Sequence, residues 1–363
     1  MKDLKYLVAL HRAMNLTPTR FFKGKAFFEG SWENMWKAKI SDFQGADLDT
    51  RAIETFFKNK SKVSPEKEIE ALERLGAKVL VYGQDGYPEQ LKNIPSPPVI
   101  LFCRGEIRES DFPSISVIGS RKITSYGRRA LEKIVGEIAD SGVTIVSGLA
   151  LGTDVLAQKC AVGHGARTIS ILGNGIDQIC PATNRSFGEK VLSENKGAIL
   201  SEYLPGVDAR PEYFPVRNRI VAALSKATIA IEAAEKSGSL ITCNLAIDFG
   251  KEVFAVPGEI FSPNSKGTNG LILKGVAAPA VSGQQILEYL GLKNIEQQKK
   301  AKMNVPEVGI EADILQLFGN EKMHIDDLIR VAKFPGNVVS STVSILEIKG
   351  YVVNLGGQVY AVS

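Results

Sequence analysis

Val117-Ile-Gly-Ser-Arg-Lys-Ile-Thr-Ser-Tyr-Gly127 carries an apolar strand straight into a Gly-Ser-Arg turn and then into a predicted helix. Such a junction suits an anion. Glycine allows close backbone approach, N–H groups at a helix start face negative charge, and an arginine adds a fork of donors that matches phosphate. Gly119, Ser120 and Arg121 are therefore candidate phosphate ligands. Only Gly119 precedes the helix and no G-x-G-x-x-G occurs there, which disfavours a nicotinamide or flavin, and no cofactor is expected. A glycine at such a turn also has a purely structural explanation, so its neighbours decide.

Outward from that stretch, apolar strands alternate with helical segments: Ser116–Ile118, Thr144–Val146, Thr168–Leu172, Ala198–Leu200, Thr228–Ile231 and Val253–Val256. Continuous Val/Ile character in such an alternation predicts an α/β, Rossmann-like, doubly wound and mainly parallel sheet covered on both faces. Ligands of such sheets sit beyond the carboxyl ends of the strands, where Gly119-Ser120-Arg121, Ser147-Gly148, Gly173-Asn174-Gly175 and Glu232-Ala233 all fall. Upstream, Lys5–Met14 and Thr50–Lys60 read as helices, Trp32 and Trp36 as parts of a small core, Ser61–Lys67 as a linker before Glu68–Leu75, and Val79–Tyr82 as a strand extending the sheet. Downstream, Ala312–Phe318, Ile325–Ala332 and Val338–Lys349 with a hairpin around Gly356-Gly357 predict a winged helix. The expected organisation is a helical region 1–65, a Rossmann-like core 66–291, a linker 292–309 and a winged helix 310–363.

At 363 residues, 44% hydrophobic and 23% charged, the chain has the composition of a globular protein of two or three domains. The cysteines, at 103, 160, 180 and 243, show no C-x-x-C spacing, and the histidines at 11, 164 and 324 are far apart, so no metal site is predicted. Neither a signal peptide nor a long apolar run is apparent, and the expectation is a cytoplasmic protein with no membrane partner. A net charge of +4 is too small to make any region a basic block. A polyanion would have to be held by individually placed cations. The third helix of the terminal module offers Ser340, Ser341, Thr342 and Ser344 with only Lys349 positive, which reads as protein docking or structure rather than DNA recognition.

Two further segments supply cations. Phe214-Pro-Val-Arg-Asn-Arg219 places Arg217 and Arg219 around Asn218 just ahead of a predicted helix, and Lys236-Ser-Gly-Ser239 opens another. Either could bind phosphate through guanidinium, ammonium and helix-start N–H groups. Equally, the arginines could pair with acids such as Glu202 or Glu232, and the Ser-Gly-Ser turn could be a plain helix cap.

Together these motifs resemble the DNA-processing protein A family (DprA, also called Smf). The ordered match runs from Tyr87-Pro88 through Gly119-Ser-Arg121, Ser147-Gly-Leu-Ala150 with Gly152 and Asp154, Leu172-Gly-Asn-Gly-Ile-Asp177 with Pro181 and Asn184, and Ser201-Glu-Tyr203. It ends with Phe214-Pro-Val-Arg-Asn-Arg219, Ser237-Gly-Ser-Leu-Ile-Thr242 and Val256-Pro-Gly258, so that it covers roughly residues 80–290. The terminal module is similar to the family's optional winged helix. Residues 1–65 are loosely similar to its SAM-like helical domain, without a clean Gly-containing helix–hairpin–helix turn. Departures are Gly152-Thr153-Asp154 for the usual Gly-Ile-Asp, Gln158 for a histidine, and Cys180-Pro181 for Tyr-Pro.

The resemblance implies a non-catalytic mediator that binds single-stranded DNA and loads a RecA-type recombinase, as in natural transformation. The homodimer face it implies lies near Leu271–Gly275 and Ile286–Leu290. It also implies a strand-binding pocket of Gly119, Ser120, Arg121, Asn184, Phe214, Arg217, Asn218, Arg219, Lys236, Ser237, Gly238 and Ser239. Four cations on three or four phosphates predict a log–log salt slope of about −2 to −3, at roughly −0.7 per phosphate. The alternative is a nucleotide or phosphoribosyl hydrolase of related fold, with Glu232 or Glu202 as acid. Its Pro-Gly-Gly-x-Gly-Thr signature is absent from Glu232-Ala-Ala-Glu-Lys-Ser-Gly-Ser239.

Overall fold

A computed structural model describes residues 3–292, 309–318, 322–348 and 351–362. The expected linker, 292–309, lies almost wholly outside them. The described chain divides into two compact units, Met1–Ile286 and Leu287–Ser363.

The first unit is built on a nine-stranded sheet in the order β1-β2-β6-β5-β4-β3-β7-β8-β9. Its strands are β1 (Lys78–Val81), β2 (Ile100–Gly105), β3 (Ser114–Ile118), β4 (Thr144–Ser147), β5 (Thr168–Ile171), β6 (Gly197–Ser201), β7 (Ala227–Ala230), β8 (Glu252–Ala255) and β9 (Ala278–Pro279). From β6 to β9 every pairing is parallel, as β3 with β4 and with β7. The six core strands read from the sequence are all present, each buried along nearly its whole length, as strands covered on both faces must be. β2 was not anticipated. It runs antiparallel to both β1 and β6, so the extension of the sheet through Val79–Val81 forms a mixed edge. Helices α6 (Ser125–Asp140), α7 (Thr153–Gly163), α8 (Arg185–Ser193), α9 (Tyr213–Leu224), α10 (Gly238–Asp248) and α11 (Lys266–Leu273) connect the strands, and α12 (Gly283–Tyr289) follows β9.

The chain begins with five helices: α1 (Leu4–Met14), α2 (Pro18–Phe27), α3 (Trp32–Lys37), α4 (Thr50–Lys60) and α5 (Pro65–Arg74). α1 and α4 match the sequence reading. α5 starts inside the expected linker, because Ser64 caps it by accepting from the Lys67 N–H and Pro65 occupies its first position. Trp32 and Trp36 are buried core, in a cluster that runs on without a break into Val99, Ile100 and Phe102 of the β2 region. Asp111 staples the amino edge of the sheet. Wholly buried, it accepts from Arg167 (2.6 Å) and from Thr144 (3.2 Å), so one carboxylate joins the starts of β3, β4 and β5.

The second unit contains helices Ile310–Phe318, Ile325–Val331 and Gly336–Ile348 and a three-stranded sheet of β10 (Met323–His324), β12 (Val359–Val362) and β11 (Val352–Asn354). It has its own core, which includes Ile314, Phe318, Leu328, Val343 and Leu346. This is the expected winged helix, with one short strand more than the hairpin.

Candidate functional site

A cavity of about 510 Å³ opens beyond the carboxyl ends of β3, β4 and β7. Here β3 has β4 on one side and β7 on the other, so the direction of strand succession reverses and the connecting loops part into a crevice. Gly119, Ser120, Arg121, Asp154, Phe214, Arg217, Asn218, Ser237, Gly238 and Ser239 all line it.

The loops are fixed by contacts that depend on residue type. Gly152, at φ +74, lies against the Ser120 and Arg121 carbonyls where any Cβ would collide. Thr153, next along, donates from its backbone N–H (3.1 Å) and its hydroxyl (3.0 Å) to the Ser120 carbonyl. Ser239 donates to the Gly119 carbonyl (2.9 Å), tying the third motif to the first. Leu149 is a buried non-glycine at φ +54, held by its flanks. Asp154 accepts from the N–H groups of Gly148 (3.2 Å) and Ala150 (3.4 Å), and Asn184 donates to the Leu149 carbonyl (2.9 Å). Burial lifts the Asp154 carboxyl above the usual range, although Arg217 and those two N–H groups pull the other way. Asn184, read from the sequence as a ligand, is thus a buried brace that does not line the cavity.

The four cations fare differently. Arg121 is exposed, with its guanidinium 5.5 Å from the Phe214 ring centroid. Arg217 is 5% exposed and forms the floor: it donates to the Gly148 carbonyl (2.9 Å) and the Ile171 carbonyl, and from Nε to Asn218 (3.3 Å). Burial lowers its pKa, and Asp154 opposes that shift. Phe214 lies within cation–π reach of both arginines, and its ring packs where a Cβ on Gly173 would stand. Arg219 does not reach this cavity. It grips Glu202 through two 2.6 Å bonds and donates to the Ser96 carbonyl (2.9 Å), in a separate cleft. Lys236 is exposed on the turn before Ser237 but is not part of the lining.

Two expectations are corrected by these contacts. The helix after the Gly-Ser-Arg turn begins only at Ser125, and its start already holds an anion. Glu232 accepts from the Thr124 N–H (2.9 Å) and hydroxyl (2.5 Å), while the Thr124 hydroxyl accepts from the Gly127 N–H. The dipole of α6 therefore steadies an internal carboxylate rather than a ligand. For the same reason Glu232 is not an arginine partner, whereas Glu202 is. Ser237 and Ser239 likewise direct their hydroxyls inward, Ser237 as the cap of α10 and Ser239 to Gly119. Gly152, Thr153 and Asp154, noted in the sequence only as a departure from the family pattern and not as ligands, belong to the site: Asp154 lines the cavity, and Gly152 and Thr153 fix the loop that carries Ser120 and Arg121.

Among the described residues no group of three His, Cys, Asp or Glu could hold a metal, and no helix is long and apolar enough to cross a membrane.

Comparison with known proteins places the geometry in context. Protein Smf of Synechocystis sp. is 35% identical over 281 residues, 76% of this chain and 69% of that one. DNA processing protein DprA of Streptococcus pneumoniae is 39% identical over 203 residues, 56% of this chain and 71% of that one. The X-ray structure of the Streptococcus pneumoniae protein superposes with a TM-score of 0.68 at 30% identity, covering 78% of this chain and 97% of that one. A Helicobacter pylori DNA processing protein A, whose structure was described for its single-stranded DNA binding mode, gives 0.53 at 32% identity, with 59% and 95% covered. The family model for DNA recombination-mediator protein A matches residues 78–291 and that for the DprA winged helix domain residues 299–358, so the chain belongs to the DprA/Smf family.

Proposed function

We propose that this chain is a cytoplasmic, non-catalytic mediator that binds single-stranded DNA in the β3/β4/β7 cavity and delivers it to a RecA-type recombinase, as in natural transformation. The observation that carries the reading is Arg121: exposed on the cavity wall, without an acidic partner among the described residues, and beside Phe214. A free guanidinium next to an aromatic ring suits a phosphate and its unstacked base, and stacking adds on the order of 1–3 kcal/mol per base. Arg217 supplies positive potential from below. Lys236 stands close along the chain to meet a neighbouring phosphate. Among the described lining residues Asp154 is the sole carboxylate, and its bonds to two backbone N–H groups and its place beside Arg217 suit a brace better than a hydrolytic acid.

With Arg219 withdrawn to Glu202, the cavity's contribution to the salt slope is about −0.7 to −1.4, from one or two phosphates. High affinity then needs several protomers or a longer contact. A homodimer is part of the proposal. In Leu271–Gly275 and Ile286–Leu290, the stretches implied for its face, Leu271, Ile286, Leu287 and Leu290 are buried core, while Leu273 (88% exposed) and Tyr289 (64%) present apolar surface.

The test is fluorescence anisotropy of single- and double-stranded oligonucleotides of equal length. Salt-sensitive preference for the single strand is expected. Arg121→Ala should weaken it about tenfold or more, as loss of a charge-assisted contact of about 1.5–3 kcal/mol implies, with no change in the thermal midpoint. Normal binding by the folded variant would remove the cavity from the account.

A further inference from the structure

A second groove lies farther along the same sheet edge. It has a volume of about 370 Å³ and is walled on one side by α6 and on the other by Val256, Pro257, Ala280 and Val281, the segments leaving β8 and β9. The α6 wall consists of Tyr126, Arg129, Ala130, Lys133 and Ile134, which at i, i+3, i+4, i+7 and i+8 share one face of the helix. Tyr126 is 39% exposed and anchored by its hydroxyl, which donates to the Pro257 carbonyl, so its ring is fixed. Arg129 is exposed and has no acidic partner among the described residues, whereas Lys133 pairs with Glu137. The floor is apolar and the rim cationic.

Resting on the proposed strand-binding reading, we infer that this groove is a second subsite for the same single strand, with Tyr126 as stacking platform and Arg129 as phosphate contact. Continuity supports it. The first cavity opens over β3 and β7 and this groove beside β8 and β9, so the two lie on one carboxyl edge in the strand order β3-β7-β8-β9. At about 4.8 Å per strand the offset from β3 to β9 is roughly 14 Å, a span that a few nucleotides bridge. α6 joins the two sites, and Arg121 and Lys122 stand exposed just before its first turn. An aromatic platform, an unpaired cation and an apolar floor are what sequence-tolerant strand binding requires. The groove also supplies contacts that the first cavity lacks now that Arg219 is engaged by Glu202.

The experiment uses full-length protein and oligothymidylates from a trinucleotide upward, with anisotropy measured over a range of salt. In wild type, affinity and salt slope should rise with length. Arg129→Glu should leave the trinucleotide unchanged, weaken long strands several-fold, and make their slope shallower by about 0.7. Tyr126→Phe should keep the length-dependent gain, and Tyr126→Ala should lose much of it. Arg51→Glu, an exposed change of the same charge on α4, should have little effect. If Arg129→Glu matches wild type at every length, or falls only as far as Arg51→Glu, the subsite is overturned and the groove serves a partner of other chemistry. Normal binding of the trinucleotide by Arg121→Ala would instead sink the first cavity, so the two readings fail separately.

Discussion

Gly148 explains how a buried arginine can sit under the site. A Cβ at this position would enter the Arg217 guanidinium, which needs that space to reach the Gly148 and Ile171 carbonyls. Gly148→Ala should expel the side chain and leave those contacts unmade. The expected cost is about 1–3 kcal/mol, read as a shifted denaturation midpoint, together with weaker strand binding. Unchanged stability and binding would mean that Arg217 has another place to go. The different fates of Arg217 and Arg219 follow from helix geometry. The sequence reading set both ahead of a helix, where neighbouring arginines could converge. They lie instead inside α9, which starts at Tyr213, and residues two apart on a helix point about 200° from each other. Residue types and motif order were readable, but the direction in which each side chain points depended on a helix start four residues earlier than Arg217.

Among elements, α6 shows what pattern reading captures and what it leaves out. That a helix follows the Gly-Ser-Arg turn was legible, but its anionic cap was not, because Glu232 arrives from beyond β7. Long-range carboxylates of this kind recur. Glu137, near the other end of α6, accepts from Ser282 (2.9 Å) and from the N–H groups of Gly283 (2.7 Å) and Gln284 (3.2 Å), and pairs with Lys133. Burial opposes its charge, yet Lys133, Ser282 and the two N–H groups outweigh that and hold the carboxyl below its ordinary range. A carboxyl with a depressed folded pKa contributes stability that is present above its unfolded value, near 4.5, and lost as pH falls through the folded one. Glu137→Gln should therefore cost about 1 kcal/mol at neutral pH. The gap from wild type should close below about pH 4, in thermal melts followed over the acid range. A gap independent of pH would assign the effect to packing. β2 was missed for a related reason: Ile100–Gly105 is a short, largely apolar run with only single 3-10 turns and no α-helix between it and its neighbouring strands, so the alternation that marked the other strands does not reach it.

At the scale of the whole chain, the winged helix carries its own core and the sheet another, so strand binding should survive their separation. The third helix of the winged unit turns Ser344 back on the Ser340 carbonyl (3.1 Å) and Ser341 on that of Asn337, buries Thr342, and exposes Ile345 (43%) and Ile348 (86%). Apolar surface where a DNA-reading helix would carry cations favours a protein partner. A fragment ending after Leu292 keeps α12 with its buried Ile286, Leu287 and Leu290. Because the proposed contacts with DNA all lie before that end, the fragment should bind single strands within about twofold of the full chain and show the same salt slope, by anisotropy under matched conditions. Its thermal midpoint should stay close to that of the corresponding transition in the full protein. A tenfold loss by a folded fragment would mean that the winged unit either touches the strand or holds protomers together on it, and sedimentation at the same concentrations would separate those two causes.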